Sequence, residues 1–245
     1  MSKKLVLSIS GGMDSVVLLH MAVDRGFKEI HLISFDYGQR HKRELKCVDK
    51  QVQSISKDVI VTQYVANVGF IKQLAPTSSL TNEDIDNPDI SKIAGDAQPV
   101  SYVPFRNQLF NSIACAYAEA KGADTIWYGA AQVDSLAGYW DGSQEFLDSF
   151  NNLTSLNRAH RITLDAPLLT MSKADIVKEG VRLGVDFENT WTCYSNRPDG
   201  LADATTPSSS MRINGFVEAG YQDPIQYVQQ GKINELYLSK GCKKI

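Results

Sequence analysis

The sequence has few of the features that mark exported, membrane or disordered proteins. Its 245 residues include only four cysteines, Cys47, Cys115, Cys193 and Cys242, which are far apart in the chain. This spacing, in a chain long enough to bury a large core, predicts reduced thiols rather than a disulfide framework. No apolar run approaches the roughly eighteen residues that a membrane helix needs, and no secretory signal pattern is present. We therefore expect a cytoplasmic protein with no membrane partner.

A charge excess of one sign is also nearly absent. The 25 Lys and Arg residues against 28 Asp and Glu residues give a formal net charge of −3. Nothing in this balance resembles the basic footprint that holds duplex phosphates, so direct binding of nucleic acid is not expected. With 43% apolar and 22% charged residues, the composition is typical of a globular chain and excludes disordered and fibrous classes.

Short β-branched runs alternate with longer amphipathic patterns along the chain. This alternation predicts an α/β fold with a doubly wound, mostly parallel sheet and a smaller C-terminal helical and loop region. We expect one domain over 1–190 and a C-terminal region over 191–245. Predicted strands cover 4–9, 30–35, 59–65, 125–128 and 162–164, and predicted helices cover 14–25, 40–56, 107–121, 144–157 and 173–183.

A polar insertion interrupts this pattern at 76–101. It is rich in Ser, Thr, Asn, Asp and Pro and has no sustained periodicity. Structureless segments of this length are uncommon in compact domains unless they act as lids or binding loops. We expect a mobile cover over a ligand site.

The segment with the clearest chemical pattern is Ser10-Gly11-Gly12-Met13-Asp14-Ser15, between the first predicted strand and helix. Two glycines at such a turn let backbone amides point at an anion beside a helix N-terminus, and the serines add hydroxyl groups. The segment lacks the lysine of a Walker loop and the three glycines of a dinucleotide-binding loop. An ordinary strand-to-helix turn is the alternative interpretation.

Several stretches together resemble the 7-cyano-7-deazaguanine synthase family. The glycine loop is similar to the pyrophosphate loop of the ATP pyrophosphatase (PP-loop) superfamily, to which that family belongs. The more specific stretches occur in order between residue 4 and about 220: Asp-Tyr-Gly-Gln-Arg-His at 36–41, Tyr-Val-Pro-Phe-Arg-Asn at 102–107, Trp-Tyr-Gly-Ala at 127–130, Pro-Leu at 167–168, Met-Ser-Lys-Ala-Asp-Ile-Val at 171–177, and Thr-Trp-Thr-Cys-Tyr at 190–194. The resemblance implies the adenine nucleotide alpha hydrolase-like fold.

The resemblance also implies a reaction. Members of the family use ATP to adenylate the carboxylate of 7-carboxy-7-deazaguanine, let ammonia displace AMP to give an amide, and use a second ATP to reach the nitrile. Such chemistry depends on positioned donors and Mg²⁺ more than on a protein nucleophile. We therefore expect ATP and Mg²⁺ as cofactors, a modified purine base and ammonia as small-molecule partners, and, from the family, a homodimer.

Candidate site residues fall into three groups. The expected catalytic residues are Asp14 as a magnesium ligand, Lys173 as a charge for phosphate, and Arg106 as a bidentate clamp for the substrate carboxylate. The expected nucleotide contacts are Ser10, Gly11, Gly12, Met13, Asp14, Ser15, Ser34, Phe35 and Asp36. The expected substrate contacts are Tyr37, Gln39, Arg40, His41, Phe105, Arg106, Asn107, Gly129 and Asp141.

Purely structural alternatives exist for several of these residues. Lys173 belongs to a helix start, where it can be part of a solvated, capped turn. Arg40 and His41 can be ordinary surface residues. Arg106 and Asn107 can satisfy a helix N-terminus.

The chain departs from the family at the positions of a structural zinc. The family holds zinc with four cysteines, of which this chain keeps Cys193. Asp203, Thr206 and Ser209 stand at the other three positions, counted back from Arg212. One thiolate with one carboxylate and two hydroxyls does not suit tetrahedral zinc, so we expect no zinc site. Packing and hydrogen bonds must hold this loop instead.

A second departure lies at Gly142 and Ser143, where the family has Cys and Arg. An arginine lost near a bound base changes which polar groups the pocket can pair. We therefore expect adenylation of a 7-deazaguanine carboxylate, with the amide rather than the nitrile as a candidate product.

Two other functions stay open at this point. The same chemistry can serve a different acceptor, such as another carboxylate or a protein terminus, or the chain can be a non-catalytic nucleotide-binding partner. Retention of Ser10, Asp14, Ser15 and Lys173 argues against the second. The chain has no room for a glutaminase domain, so free ammonia is the expected nitrogen source.

Overall fold

The protein is built on a parallel β-sheet that is covered by helices on both faces. A computed structural model describes residues 3–37, 43–82, 84–85, 100, 102–136, 139–193, 197 and 199–245. Its sheet has the order β3-β2-β1-β4-β5, and each neighbouring pair is parallel. The strands are β1 Lys4–Ser8, β2 Glu29–Asp36, β3 Ile60–Asn67, β4 Thr125–Trp127 and β5 Thr163–Asp165. The predicted doubly wound α/β fold is confirmed.

Helices connect the strands and form the C-terminal region. They are α1 Met13–Asp24, α2 Arg43–Ser54, α3 Ile71–Leu74, α4 Arg106–Lys121, α5 Gln132–Leu136, α6 Gln144–Thr154, α7 Lys173–Leu183, α8 Pro207–Ala219 and α9 Gln230–Ser239. Short 3₁₀ turns lie at Trp140–Gly142 and Phe187–Asn189. Within the described ranges, no helix has the length and apolar character to cross a membrane.

Most element predictions agree with the structure to within three residues at each end. Helix α7 has the predicted bounds. The helices α3 and α5 were not predicted, because four and five residues are too few to show a helical period. Helix α8 begins at Pro207 with Thr206 as its N-cap, in the C-terminal region for which no individual helix was predicted. This Thr-Pro pair is a helix start signal that the sequence analysis passed over.

The two faces of the sheet bury separate apolar clusters. Leu5 and Leu7 of β1 pack with residues of α1 and α7, whereas Val6 between them packs with Ala114 and Ala118 of α4 on the opposite face. This is the alternation expected of a strand buried on both sides. It explains why β1 reads as a continuous apolar run.

The polar insertion begins inside the core. Ser78, Ser79, Leu80 and Thr81 are all buried, and the Ser79 amide donates to the Val100 carbonyl oxygen at 2.9 Å. The first part of the predicted cover is therefore packed rather than mobile. Residues 83, 86–99 and 101, which make up most of it, lie outside the described residues.

The C-terminal region is held by a buried guanidinium. Arg212 of α8 donates to both carboxylate oxygens of Asp223, at 2.7 and 2.9 Å. Nη1 of Arg212 donates to the Thr190 hydroxyl at 2.7 Å, and Nη2, besides bonding Asp223, donates to the Phe187 carbonyl oxygen at 3.1 Å. The Tyr227 hydroxyl donates to Asp223 at 2.7 Å. A buried ion pair whose polar atoms are paired in this way defines one packing arrangement. The division at residue 190 stays a prediction, and this network spans it.

We expect the variant Arg212→Ala to lose about 3–5 kcal/mol of unfolding free energy, because it leaves a carboxylate buried without its cation. Arg182→Ala is the matched control, since Arg182 pairs with Asp24 and Glu179 at the surface and is 54% exposed. Its loss should be much smaller. Urea unfolding measures both values. Equal losses in the two variants would contradict the assigned role of Arg212.

Candidate active site

A cavity of about 400 Å³ lies at the carboxyl ends of β1, β2 and β4. Its walls come from the glycine loop after β1, from Phe35 and Tyr37 at the end of β2, from residues 128–130 after β4, and from the start of α4. In open parallel sheets, ligands bind where neighbouring strands lead their connections in opposite directions, here between β1 and β4. The cavity therefore lies at the position that the strand order favours.

The glycine loop is tightly packed against α2. Gly11 has a φ of +90°, and a Cβ atom there would lie 1.9 Å from the carbonyl oxygen of Glu44. Only glycine fits this position, for conformation and for space. On the other side, the amide of Trp191 donates to the Gly11 carbonyl oxygen at 3.1 Å. The loop is thus fixed between α2 and the segment 190–193.

Hydroxyl groups of the loop bond its own amides. Ser15 Oγ accepts from the amides of Ser10 and Gly11 at 3.2 and 3.3 Å, and Ser10 Oγ accepts from the Gly12 amide at 3.1 Å. Gly12 occupies the N-cap of α1 and provides no side-chain cap to the first turn, which lines the cavity. An uncapped helix start beside polar amides is a site suited to phosphate oxygens.

Lys173 and Asp14 form an ion pair at the edge of the loop. Lys173 Nζ lies 2.6 Å from Asp14 Oδ2, and the two side chains are 18% and 25% exposed. The other oxygen, Asp14 Oδ1, is buried and has no hydrogen-bond partner in the described part of the chain. Although burial lowers the pKa of Lys173, the carboxylates of Asp14 and Asp134 raise it above its ordinary value. The lysine is therefore a fixed cation beside the loop.

The position of Lys173 depends on a glycine in a neighbouring helix. Ser172 and Asp175 cap the start of α7 reciprocally, which fixes the first turn that carries Lys173. Helix α8 crosses this turn at Gly215, where a Cβ atom would lie 2.8 Å from the Lys173 Cβ. The C-terminal region thus packs directly on the ion pair.

Two acidic residues of the cavity were missed by the sequence analysis. Asp134 of α5 accepts from the Ala131 amide at 2.8 Å, and burial raises its pKa while Lys173 opposes the shift. Glu44 of α2 also lines the cavity. Asp134 comes shortly after the end of β4, where polar side chains often serve a site, and this signal was available. Glu44 looked like an ordinary acidic residue in a first helical turn.

A second group of polar residues surrounds Arg106, the first residue of α4. Its guanidinium lies 5.9 Å from the centroid of the Tyr37 ring, within the range of a cation–π contact. Burial raises the pKa of Asp141, and the charge of Arg106 and a hydrogen bond from Asn107 oppose the shift. The structure thus brings Tyr37, Arg106, Asn107 and Asp141 together at the cavity wall, as expected of a polar site for a substrate.

Phe105, just before Arg106, has an unusual backbone. Its φ of 53° lies in the left-handed region, and its ring is 60% exposed beside Trp140, with centroids 5.3 Å apart. Phe105 does not line the cavity, although the residue after it does. Strained backbone of this kind is frequent next to functional residues.

The remaining candidates lie in different places. Gly129 and Phe35 line the cavity, and Phe35 stacks on Phe110 with centroids 4.0 Å apart. Ser34 is fully buried, and its hydroxyl donates to the Ile9 carbonyl oxygen at 2.8 Å. Asp36 ends β2 and does not line the cavity. Gln39, Arg40 and His41 lie outside the described residues.

Comparison with known proteins shows the family of the chain. The family model of the queuosine biosynthesis protein QueC matches residues 4–220. A 7-cyano-7-deazaguanine synthase of Thermoplasma volcanium is 38% identical, over 100% of this chain and 98% of its own. One from Rickettsia felis is 39% identical, over 92% of this chain and 100% of its own. The chain belongs to the QueC family.

The solved structures add evidence for the fold. NMN synthetase from Francisella tularensis is 15% identical, with a TM-score of 0.50, over 98% of this chain and 87% of its own. At this identity the likeness supports the fold alone. The predicted family and the prediction of an ATP-dependent ligase are confirmed by the QueC match and the named relatives.

The positions of the family zinc form a hydrogen-bonded group in this QueC protein. Cys193 Sγ accepts from the Asp203 amide at 3.2 Å and lies 3.8 Å from Thr206 Oγ1, which donates to Ser209 Oγ at 2.8 Å. The Asp203 carboxylate accepts instead from Thr205 at 2.7 Å and Gln229 at 3.2 Å. The four positions converge, but their donor atoms do not suit zinc. All four cysteines of the chain are free, as predicted.

We expect Gly215→Ala to weaken binding of inorganic pyrophosphate, because the added methyl group displaces Lys173. Overpacking should also cost about 1–3 kcal/mol of stability. Gly231→Ala in α9 is the matched control, since nothing lies within 4 Å of its Cβ position. Calorimetric titration and urea unfolding measure the two effects. Unchanged pyrophosphate affinity in Gly215→Ala would refute the link between α8 and the loop.

We expect a chelator to leave the thermal unfolding midpoint of the wild type unchanged. The triple variant Asp203→Cys, Thr206→Cys, Ser209→Cys should instead bind one zinc ion and become chelator-sensitive. The reason is the spacing of these positions. Two thiolates on one tetrahedral zinc lie about 3.8 Å apart, since each Zn–S bond is about 2.3 Å. Cys193 Sγ and Thr206 Oγ1 are already separated by 3.8 Å. Metal analysis of both proteins provides the measurement. Stoichiometric zinc in the wild type would disprove the prediction.

Proposed function

We propose that this protein uses ATP to adenylate the carboxylate of 7-carboxy-7-deazaguanine and then lets ammonia displace AMP. The observation that carries the proposal is the pairing of two sites in one cavity. One is the glycine loop with Asp14, which lines the cavity and pairs with Lys173 behind it, and this group suits phosphate. The other is Arg106, which suits a carboxylate. The relatives named 7-cyano-7-deazaguanine synthase support the same substrate.

Binding of the nucleotide is the task of the loop. Pyrophosphate oxygens accept from the first-turn amides of α1 and from the hydroxyls of Ser10 and Ser15, which exchange their internal bonds for the ligand. Lys173 holds a positive charge beside the leaving pyrophosphate. Donors placed in advance at the developing charge stabilise the transition state without reorganisation.

The residues at the loop fit Mg²⁺. Carboxylate oxygens are the protein ligands that this ion takes, usually together with substrate phosphates and water. Asp14 Oδ1 is buried without a partner in the described part of the chain, while Oδ2 is occupied by Lys173. We infer that Oδ1 is the protein ligand. When bound, the ion offsets the negative charge that grows on pyrophosphate.

Orientation of the acceptor is the task of the opposite wall. Arg106 can hold the substrate carboxylate through two parallel hydrogen bonds and aim one oxygen at the α-phosphorus. Phe35 and Phe110 provide a flat apolar surface next to it, which suits a planar base. The P–O bond to pyrophosphate breaks as the carboxylate oxygen bonds to phosphorus, and ammonia then replaces AMP at the carbonyl carbon.

The product after the amide depends on a second turn of the same chemistry. The amide oxygen attacks the α-phosphorus of a second ATP and pyrophosphate leaves. The C–O bond to AMP then breaks as the nitrogen loses its two protons, which leaves the nitrile. The relatives' name describes the nitrile. Gly142 lines the cavity and Ser143 caps α6, so neither supplies a cation at the position where the family has arginine. Amide and nitrile are thus the two products that an assay must separate.

We propose a cytoplasmic location, as suits an enzyme that takes ATP and a small base. The expected partners are the modified base and ammonia. A homodimer stays a prediction from the family.

The test is incubation with ATP, Mg²⁺, ammonium and 7-carboxy-7-deazaguanine, with AMP, pyrophosphate and the base followed by mass spectrometry. We expect Lys173→Met to lower AMP formation by about 10²–10³-fold, the usual effect of losing one donor at a developing charge. Lys232→Met, at an exposed position of α9, is the matched control. Wild-type protein that forms no AMP with this base would overturn the proposed substrate and favour another acceptor or a binding role.

A further inference from the structure

Four carboxyl groups of the described residues line the cavity: those of Asp14, Glu44, Asp134 and Asp141. Three of these carboxyl groups have a hydrogen-bond or ion-pair partner. Asp14 pairs with Lys173, Asp134 accepts from the Ala131 amide, and Asp141 accepts from Asn107. Glu44 differs from them, because no hydrogen bond to its carboxyl group is found among the described residues.

Glu44 is held at a defined place. It lies in the first turn of α2, and its carbonyl oxygen packs against Gly11 of the glycine loop. Its side chain is half-buried and faces the cavity. Packing of this backbone fixes where the carboxyl group can reach. The group is thus presented to the cavity by the same contact that shapes the loop.

The groups that act on Glu44 electrostatically come from three elements. They are Arg106 at the start of α4, Tyr37 at the end of β2, and Cys193 in the segment that packs on the loop. Burial raises the pKa of Glu44 to about 8, Arg106 opposes this shift and Cys193 adds to it. Arg106, the proposed carboxylate clamp, lines the same cavity as Glu44, so Glu44 faces the space in which ammonia must attack.

The second half of the proposed reaction needs a base. Ammonia at neutral pH is mostly ammonium, and the nitrogen becomes positively charged again when it bonds to the carbonyl carbon. A positioned base with a pKa close to the working pH is most effective at removing such a proton. Asp14, Lys173 and Arg106 have other proposed roles, so none of them is this base.

We propose that Glu44 is the catalytic base of the amide-forming step, an inference that rests on the proposed function. As the C–N bond forms and the C–O bond to AMP breaks, AMP leaves with the electron pair of that bond. The proton on nitrogen passes to the Glu44 carboxylate and from there to water. Glu44 therefore acts after adenylation and not in it.

The test separates the two half-reactions in the variants Glu44→Gln and Glu44→Asp, with Glu235→Gln on the exposed side of α9 as matched control. Amide formation with ammonium should fall about 10²–10⁴-fold in Glu44→Gln, the usual contribution of a general base. Pyrophosphate formation without ammonium should fall far less. Glu44→Asp should recover part of the amide rate, and Glu235→Gln should match the wild type.

Hydroxylamine provides the readout that a structural role would not move. It is neutral at pH 7, and its oxygen makes the nitrogen more acidic once the nitrogen has bonded to carbon, so water can remove that proton. The defect of Glu44→Gln should therefore largely disappear with hydroxylamine. With the concentration of free ammonia held constant, the wild-type amide rate should also rise with pH as Glu44 loses its proton, and this limb should be absent from Glu44→Gln.

Two results would overturn the inference alone. One is an unchanged amide rate in Glu44→Gln, and the other is an equal defect with ammonium and hydroxylamine, which would make Glu44 a positioning residue. Wild-type protein that forms no pyrophosphate with the carboxylate base would overturn the proposed function as well, so the two failures are distinguishable.

Discussion

The ion pair between Lys173 and Asp14 is the interaction on which the site depends. It joins the turn after β1 to the start of α7 across 159 positions of sequence. Both side chains are mostly buried, so the cost of removing their charges from water offsets much of their attraction. Its importance is positional: the pair keeps a cation at the loop, and the α8 glycine and the Arg212 network keep the pair in place. Packing of the C-terminal region is thus a condition for the charge at the active site.

Much of this organisation was predictable from sequence because it is local. The glycine loop, the strand before it and the helix after it are specified by adjacent residues, and Lys173 follows a capping serine. The family resemblance then placed Asp14, Lys173 and Arg106 in one reaction. The resemblance did not predict the contacts of these three residues, because the contacts depend on how elements far apart in sequence pack together.

The two cavity carboxylates that were not predicted from the sequence, Glu44 and Asp134, escaped prediction for the same physical reason. Glu44 and Asp134 are acidic residues in first helical turns, where the helix dipole favours acids in any protein. They are distinguished from surface carboxylates only by burial and, for Glu44, by the lack of a hydrogen-bond partner for its carboxyl group within the described part of the chain. The start of the insertion was mistaken for a cover for a similar reason. Ser78, Ser79 and Thr81 are polar, yet they are buried, and Thr81 donates to the Ala75 carbonyl oxygen at 2.7 Å.

The internal hydrogen bonds of the glycine loop have a consequence for ligand selection. The amides of Ser10, Gly11 and Gly12 already donate to the two serine hydroxyls, so a ligand at these three amides gains no hydrogen bond by count and only exchanges one acceptor for another. A neutral acceptor is about equivalent to a serine hydroxyl in this exchange, whereas a charged oxygen forms roughly twice as strong a bond. At these three amides the loop therefore favours a charged oxygen over a neutral acceptor, and the internal hydrogen bonds add selectivity for anions.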